Sequence, residues 1–182
     1  NMHRLTVMIK MTTRYLMLQN SNETITLPSF ELTMVAADTQ EATAVQLNQL
    51  LNQSHQGLIL YFYPKDNTQG CSIQAVDFSH HKAKLESLGF YILGVSRDGI
   101  KSHQNFINKK ALSIDLISDT DEKLCQYYDV IKEKKMYGKT HLGVVRSTFV
   151  YNKNGEMIGS FRDVKAKEHV EKILDFLENK TN

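Results

Sequence analysis

The sequence predicts a single α/β domain in which helices cover a mixed β-sheet. Three observations carry that expectation. GLILYFY (57–63) is an unbroken apolar and aromatic run of strand length, the pattern of a strand buried on both faces, and FYILGVS (90–96) reads as a second buried-type strand. Segments with helical spacing of apolar residues alternate with them. RSTFVYNKNGEMIGSFRD (146–163) sets two alternating strands around Asn154-Gly155, a pair suited to a turn that needs positive φ. A chain of 182 residues is long enough to bury about 70% of its unfolded surface around one core.

The elements follow in order. ITLPSFELTMV (25–35) alternates apolar and polar positions and predicts one or two short strands around Pro28. TAVQLNQLLNQ (43–53) spaces Val45, Leu47, Leu50 and Leu51 for a helix, and the first buried strand then stops at Pro64. Residues 71–88 place Ile73, Val76, Phe78, Leu85 and Leu88 on a helical pattern. A polar helix is expected over 101–110 and a strand in LSIDLISD (112–119). DEKLCQYYDV (121–130) reads as a helix with acidic residues at its positive end. In the terminal helix KEHVEKILDFLENK (167–180), Val170, Ile173, Leu174 and Leu177 form the buried stripe. Residues 23–182 thus form the domain. The segment 1–22, free of acidic residues, is set apart as a tail. It weakly resembles a transit peptide, but Asn1 before Met2 reads better as a remnant of cloning, with Met11 as the natural start.

Composition narrows the function. A net charge of +2, with no dense Lys/Arg block interleaved with aromatics, argues against nucleic-acid binding. No apolar run reaches the ~18 residues of a membrane span. Two cysteines do not make a disulfide framework, which points to a reducing compartment, the cytoplasm. Those cysteines and the scattered histidines lack metal-ligand spacing, and nothing calls for a cofactor.

One cysteine is set in a loaded position. In YPKDNTQGCSIQAV (63–76) a buried strand ends, a polar loop turns and a helix begins at Cys71. A thiol reacts as its thiolate, and in the first helical turn the sulfur meets unpaired N–H groups and the positive end of the dipole. Gly70 permits close backbone approach. Thr68 brings a hydroxyl near the sulfur, and Pro64 offers an apolar cover. Hydrolase chemistry fits poorly, because His80 and His81 lie roughly 13–15 Å further along the same helix. A thioredoxin-like dithiol is excluded by Gln74 at the position of a second cysteine.

Pro64-x-x-x-Thr68-x-x-Cys71 resembles the signature of peroxiredoxins. LYFYPKDNTQGCSIQAVDF, LGVSRDGIKSHQNF, ISDTDEKLCQYYDV and KKMYGKTHLGVVRSTFVYNKNGEMI extend the likeness, over roughly 24–178, to the bacterioferritin comigratory protein or peroxiredoxin Q subfamily. The resemblance implies a thioredoxin-like fold. It implies a thiol-dependent peroxidase that reduces hydrogen peroxide and organic hydroperoxides through a sulfenic acid on Cys71. Thr68 would contact the peroxide, Pro64 would shield the pocket, and Arg146 would face the cysteine from a neighbouring strand. A guanidinium there stabilises a thiolate and can donate to both peroxide oxygens.

The sequence departs from the subfamily at two positions. Gln69 replaces the usual proline before Gly70, and Val76 stands where many members carry a resolving cysteine. A one-cysteine cycle is therefore expected, with thioredoxin, glutaredoxin with glutathione, or another small thiol as reductant. Cys125, in a helix predicted to pack on the sheet, is expected to be structural. The resemblance further implies a monomer or weak dimer. The alternative is a non-enzymatic peroxide sensor or redox-regulated interaction protein that uses the same thiolate.

Overall fold

The computed structural model describes residues 23–181, so the expectations for the tail lie outside the described residues. A seven-stranded sheet in the order β2-β1-β5-β4-β3-β8-β9 forms the centre. Its strands are β1 (Leu32–Val35), β2 (Ala42–Val45), β3 (Gly57–Phe62), β4 (Phe90–Ser96), β5 (Asp115–Ser118), β8 (Ser147–Tyr151) and β9 (Met157–Phe161). β3, β4 and β5 pair in parallel, and the remaining pairs are antiparallel, so the sheet is mixed as expected. A separate ribbon joins β6 (Ile131–Met136) to β7 (Lys139–Val144).

Every residue of β3 is buried, because helices cover both faces of the sheet. Ile59, Tyr61 and Tyr63 point into one core with Cys71, Phe78, Phe106 and Phe176. Leu58, Leu60 and Phe62 point into the other with Leu47, Leu124, Cys125 and Tyr128. Alternation along one strand thus divides the protein into two apolar layers. α2 (Gln69–His80), α4 (Ile100–Lys110) and α6 (His169–Thr181) serve the first layer, and α1 (Leu47–Ser54) and α5 (Lys123–Tyr127) the second.

The structure corrects the sequence reading at residues 42–45, over 71–88, over 121–130 and at the β6–β7 ribbon. Residues 42–45 are a strand rather than the start of a helix: β-branched Thr43 and Val45 pair with Met34 and Leu32 of β1, and the helix begins only at Leu47. The helix expected over 71–88 begins at Gln69 and breaks at His81, where α2 gives way to α3 (Lys82–Ser87). The helix expected over 121–130 shrinks to five residues, while one strand follows Pro28, within the one or two expected. The β6–β7 ribbon has no apolar alternation to announce it. It turns through Tyr137 and Gly138, both at positive φ, which matches the twist of a two-residue hairpin turn.

Candidate active site

β3 ends at Phe62 in the middle of the sheet, and the chain reaches the start of α2 through the loop 63–68. Buried side chains anchor that loop. The Asp66 carboxylate accepts hydrogen bonds from the Tyr63 hydroxyl (2.6 Å) and the Ser102 hydroxyl (2.9 Å), and lies 2.7 Å from Nδ1 of His103. Nε2 of His103 reaches the Ile117 carbonyl at 2.9 Å, while the Asp66 N–H donates to Asp98. The loop is thereby tied to β5 and α4 rather than left to solvent.

Thr68 is the N-cap residue of α2, in extended conformation, and the Ser72 N–H bonding to its carbonyl opens the helix. Cys71 is therefore the third helical residue, in the turn whose N–H groups lack helical acceptors. It is only 2% exposed. Nη2 of Arg146 lies 3.4 Å from its Sγ, across 75 residues of sequence. Nη1 of the same guanidinium donates to Oε1 of Gln74 at 2.6 Å. Arg146 leaves the end of β7 and enters β8, the strand hydrogen-bonded to β3, so the sheet itself brings it to the cysteine.

Gly70 leaves room for this arrangement. A Cβ there would stand 3.3 Å from Nη2 of Arg146 and 3.6 Å from the Ala166 Cβ. The four expected residues are differently placed. Arg146 contacts Cys71 directly; half-buried Pro64 follows β3; Thr68 donates its hydroxyl to the Lys65 carbonyl at 2.8 Å and makes no capping bond. The Thr68 oxygen keeps acceptor capacity in that position.

Two buried polar groups in this layer lack partners among the described residues, Nε2 of Gln74 and the Tyr61 hydroxyl. Burial, and then the negative field of Cys71, holds the Tyr61 phenol protonated well above its ordinary range. Sequence reading passed over Gln74, Asp66 and His103. Gln74 is visible only as a polar residue at i+3 from the cysteine, a spacing that puts both on one helix face.

Cys125 is buried in the other layer, with the sheet between it and Cys71. Its N–H donates to Asp119 at 2.8 Å. Burial, and secondarily the Asp119 carboxylate, pushes its thiol far up, which makes it a poor nucleophile. His80 is exposed and Nδ1 of His81 lies against the Asp77 carbonyl at 2.8 Å, so neither serves the cysteine. Among the described residues no helix is long and apolar enough to cross a membrane.

A buried cysteine at a helix start, faced by an arginine from the adjoining strand on a thioredoxin-like sheet, defines the peroxiredoxin class. Comparison with known proteins agrees: the model of the AhpC/TSA family matches residues 25–159, and the chain belongs to that family. It is similar to Peroxiredoxin Bcp of Xanthomonas campestris, 46% identical over 67% of this chain and 78% of that protein. Peroxiredoxin Bcp of Bacillus subtilis is 41% identical, with the same coverage. Among solved structures, Xanthomonas campestris peroxiredoxin Q superposes with a TM-score of 0.74 at 38% identity, covering 87% of this chain and 98% of that one. Xylella fastidiosa PrxQ gives 0.78 at 36%, over 88% and 98%. The protein is a thiol-dependent peroxidase: a hydroperoxide is its substrate and a thiol its reductant.

Proposed function

We propose that Cys71 is the peroxidatic cysteine of a one-cysteine cycle, assisted by Arg146, Thr68 and Pro64. The Cys71 thiolate attacks the terminal oxygen of the hydroperoxide. An S–O bond forms as the O–O bond breaks, and the alkoxide or hydroxide leaves and takes up a proton. Sulfur is oxidised to sulfenic acid and the peroxide is reduced to alcohol or water. Charge spreads over sulfur and two oxygens in the transition state. A fixed guanidinium supplies donors where that charge develops, without reorganising water. The Thr68 oxygen supports the distal end of the peroxide, and Pro64, lacking an N–H, covers the pocket. The carrying observation is the 3.4 Å approach of Arg146 to Sγ. Alkyl hydroperoxides join hydrogen peroxide as proposed substrates, since a related structure concerns the alkyl peroxide reduction activity of Xanthomonas campestris bacterioferritin comigratory protein.

The second half of the cycle requires an external thiol. Val76 occupies the position of a local resolving cysteine, and Cys125 lies across the sheet. Thioredoxin, glutaredoxin with glutathione, or a small thiol fits this role, in a reducing cytoplasmic setting consistent with two free cysteines. The test is intact mass and peptide mapping after one equivalent of hydrogen peroxide, with and without dimedone. A dimedone adduct on Cys71 alone is expected; a Cys71–Cys125 disulfide would overturn the one-cysteine cycle, and an unmodified Cys71 the whole reading.

A further inference from the structure

The β6–β7 ribbon is strongly basic, and one of its lysines differs from the rest. Lys132, Lys135 and Lys139 are exposed, whereas Lys134 is half-buried. Lys132 is paired with Asp129 at 2.8 Å, but Lys134 forms no ion pair among the described residues. Across the ribbon Lys134 is opposite His141; the next pair toward the root is Glu133 with Leu142, on the other face, and the next on the same face is Lys132 with Gly143. A Cβ on Gly143 would stand 3.1 Å from Cδ of Lys134, 3.5 Å from its Cε and 3.6 Å from Nε2 of His141. The lysine stem therefore lies over the glycine, directed toward the root of the ribbon. There β7 ends at Val144, two residues before Arg146.

The surroundings of the ammonium agree with that direction. Burial lowers its pKa first, and then the Arg146 guanidinium; the Cys71 sulfur raises it, Arg97 lowers it and Asp163 raises it. An unpaired, partly desolvated lysine set near two guanidiniums is unfavourable for folding alone. Such placements concentrate at functional sites.

We propose that Lys134 is a specificity-determining residue of the peroxidase, forming over Gly143, at the root of the ribbon that leads into Arg146, an anion subsite that favours negatively charged thiols as the reductant of oxidised Cys71. This rests on the reading of Cys71 as the oxidised residue. The thiolate RS⁻ attacks the sulfenic sulfur, an S–S bond forms, and the S–O bond breaks with loss of hydroxide, which is protonated to water. A second thiolate then attacks the mixed disulfide to release RSSR and the Cys71 thiolate. The attacker is an anion at both steps. A reductant whose body also carries a carboxylate gains further from the Lys134 ammonium, whereas one carrying an ammonium is repelled.

The test compares three thiols of similar size and different charge: 3-mercaptopropionate, 2-mercaptoethanol and cysteamine. Cys71 is first converted to the sulfenic acid, verified by dimedone trapping. The rate of its disappearance is then followed by quenched intact mass at equal thiolate concentration. Intrinsic differences in thiol reactivity cancel when each rate ratio is compared between the parent protein and a Lys134 variant. Lys134→Met is expected to lower the 3-mercaptopropionate-to-cysteamine ratio about tenfold, Lys134→Glu to lower it further, and Lys134→Arg to hold it within about twofold of the parent. The parent ratio should shrink with added salt. A ratio unchanged in Lys134→Met, or lost equally in Lys134→Arg, overturns the proposal. Absence of the initial dimedone adduct on Cys71 overturns both this proposal and the reading beneath it, and is seen before any thiol is added.

Discussion

Gln74 accepts, at 2.6 Å, a hydrogen bond from the guanidinium whose other nitrogen lies 3.4 Å from Sγ of Cys71. The two residues stand one turn apart on α2, so a single helix face holds both the nucleophile and the clamp on its cation. Gln74 is a positioning residue that acts through Arg146, and it is fully buried.

Replacing Gln74 by Met is expected to slow Cys71 oxidation about tenfold, and Arg146→Met about a hundredfold or more, by loss of fixed charge stabilisation. Gln74→Glu keeps an acceptor oxygen for the guanidinium but sets a negative charge beside Cys71, so it should hold Arg146 in place and still slow oxidation. Stopped reactions with limiting peroxide, scored by dimedone labelling, provide the measurement. An unchanged oxidation rate in the Met variant would show that Gln74 does not position the guanidinium.

Cys125→Ala should sustain full multiple-turnover peroxide consumption with an external thiol, at a stability cost of about 1 kcal/mol for the atom removed from the core. Peroxide assays and urea melts check the two halves. A variant that is oxidised once and then stalls would assign Cys125 a resolving role.

Asp66→Ala removes the shared acceptor of Tyr63, Ser102 and His103 in the interior. Leaving those donors unpaired is expected to destabilise the protein by about 3 kcal/mol. The loop 63–68 should loosen as well, visible as faster amide exchange at its anchored N–H groups. Loss of stability without faster loop exchange would refute the anchoring role.

His169 gives a pH signature. Burial, followed by the fields of Arg146 and Lys172, lowers its pKa from 6.5 to about 4 in the folded protein, while Nε2 stays 2.8 Å from the Thr148 hydroxyl. Above pH 6.5 it is neutral folded or unfolded and contributes no pH dependence. As pH falls from 6.5 toward 4 only the unfolded chain takes up the proton, so stability declines, by about 3 kcal/mol across the window. Urea midpoints of the parent and of His169→Gln measure this; the variant should lose that part of the slope. Identical slopes would mean His169 does not titrate as its burial requires.

Much of the fold was legible because burial writes itself into composition. The runs at 57–63 and 90–96 carry no charged residue, since helices cover both faces of the strands they form. Asn154-Gly155 marked its hairpin, and Gly155 does adopt positive φ. β2 was misread because Leu47, Leu50 and Leu51 lend helical spacing to a short strand whose state is set by its pairing with β1. The β6–β7 ribbon was invisible for a related reason: its strands bond to each other and bury little, so no apolar alternation is demanded of them.

The candidate site divides along the same line. Residues close in sequence are governed by local geometry, so a cysteine after a strand, a loop and Gly70 could be read as a thiol at a helix N-terminus. Resemblance to a family added Arg146 to that picture. By itself the sequence determined the two-faced sheet, a helix whose first turn holds Cys71 and the absence of a cysteine at position 76. Only the tertiary structure decided that Gln74 clamps Arg146, that Asp66 and His103 moor the loop, that Cys125 lies beyond the sheet and that Lys134 leans over Gly143. Apart from the Lys134–Gly143 contact within one hairpin, those relationships join residues far apart in the chain, and their energies arise from burial and charge at distances that exist only once the layers have packed.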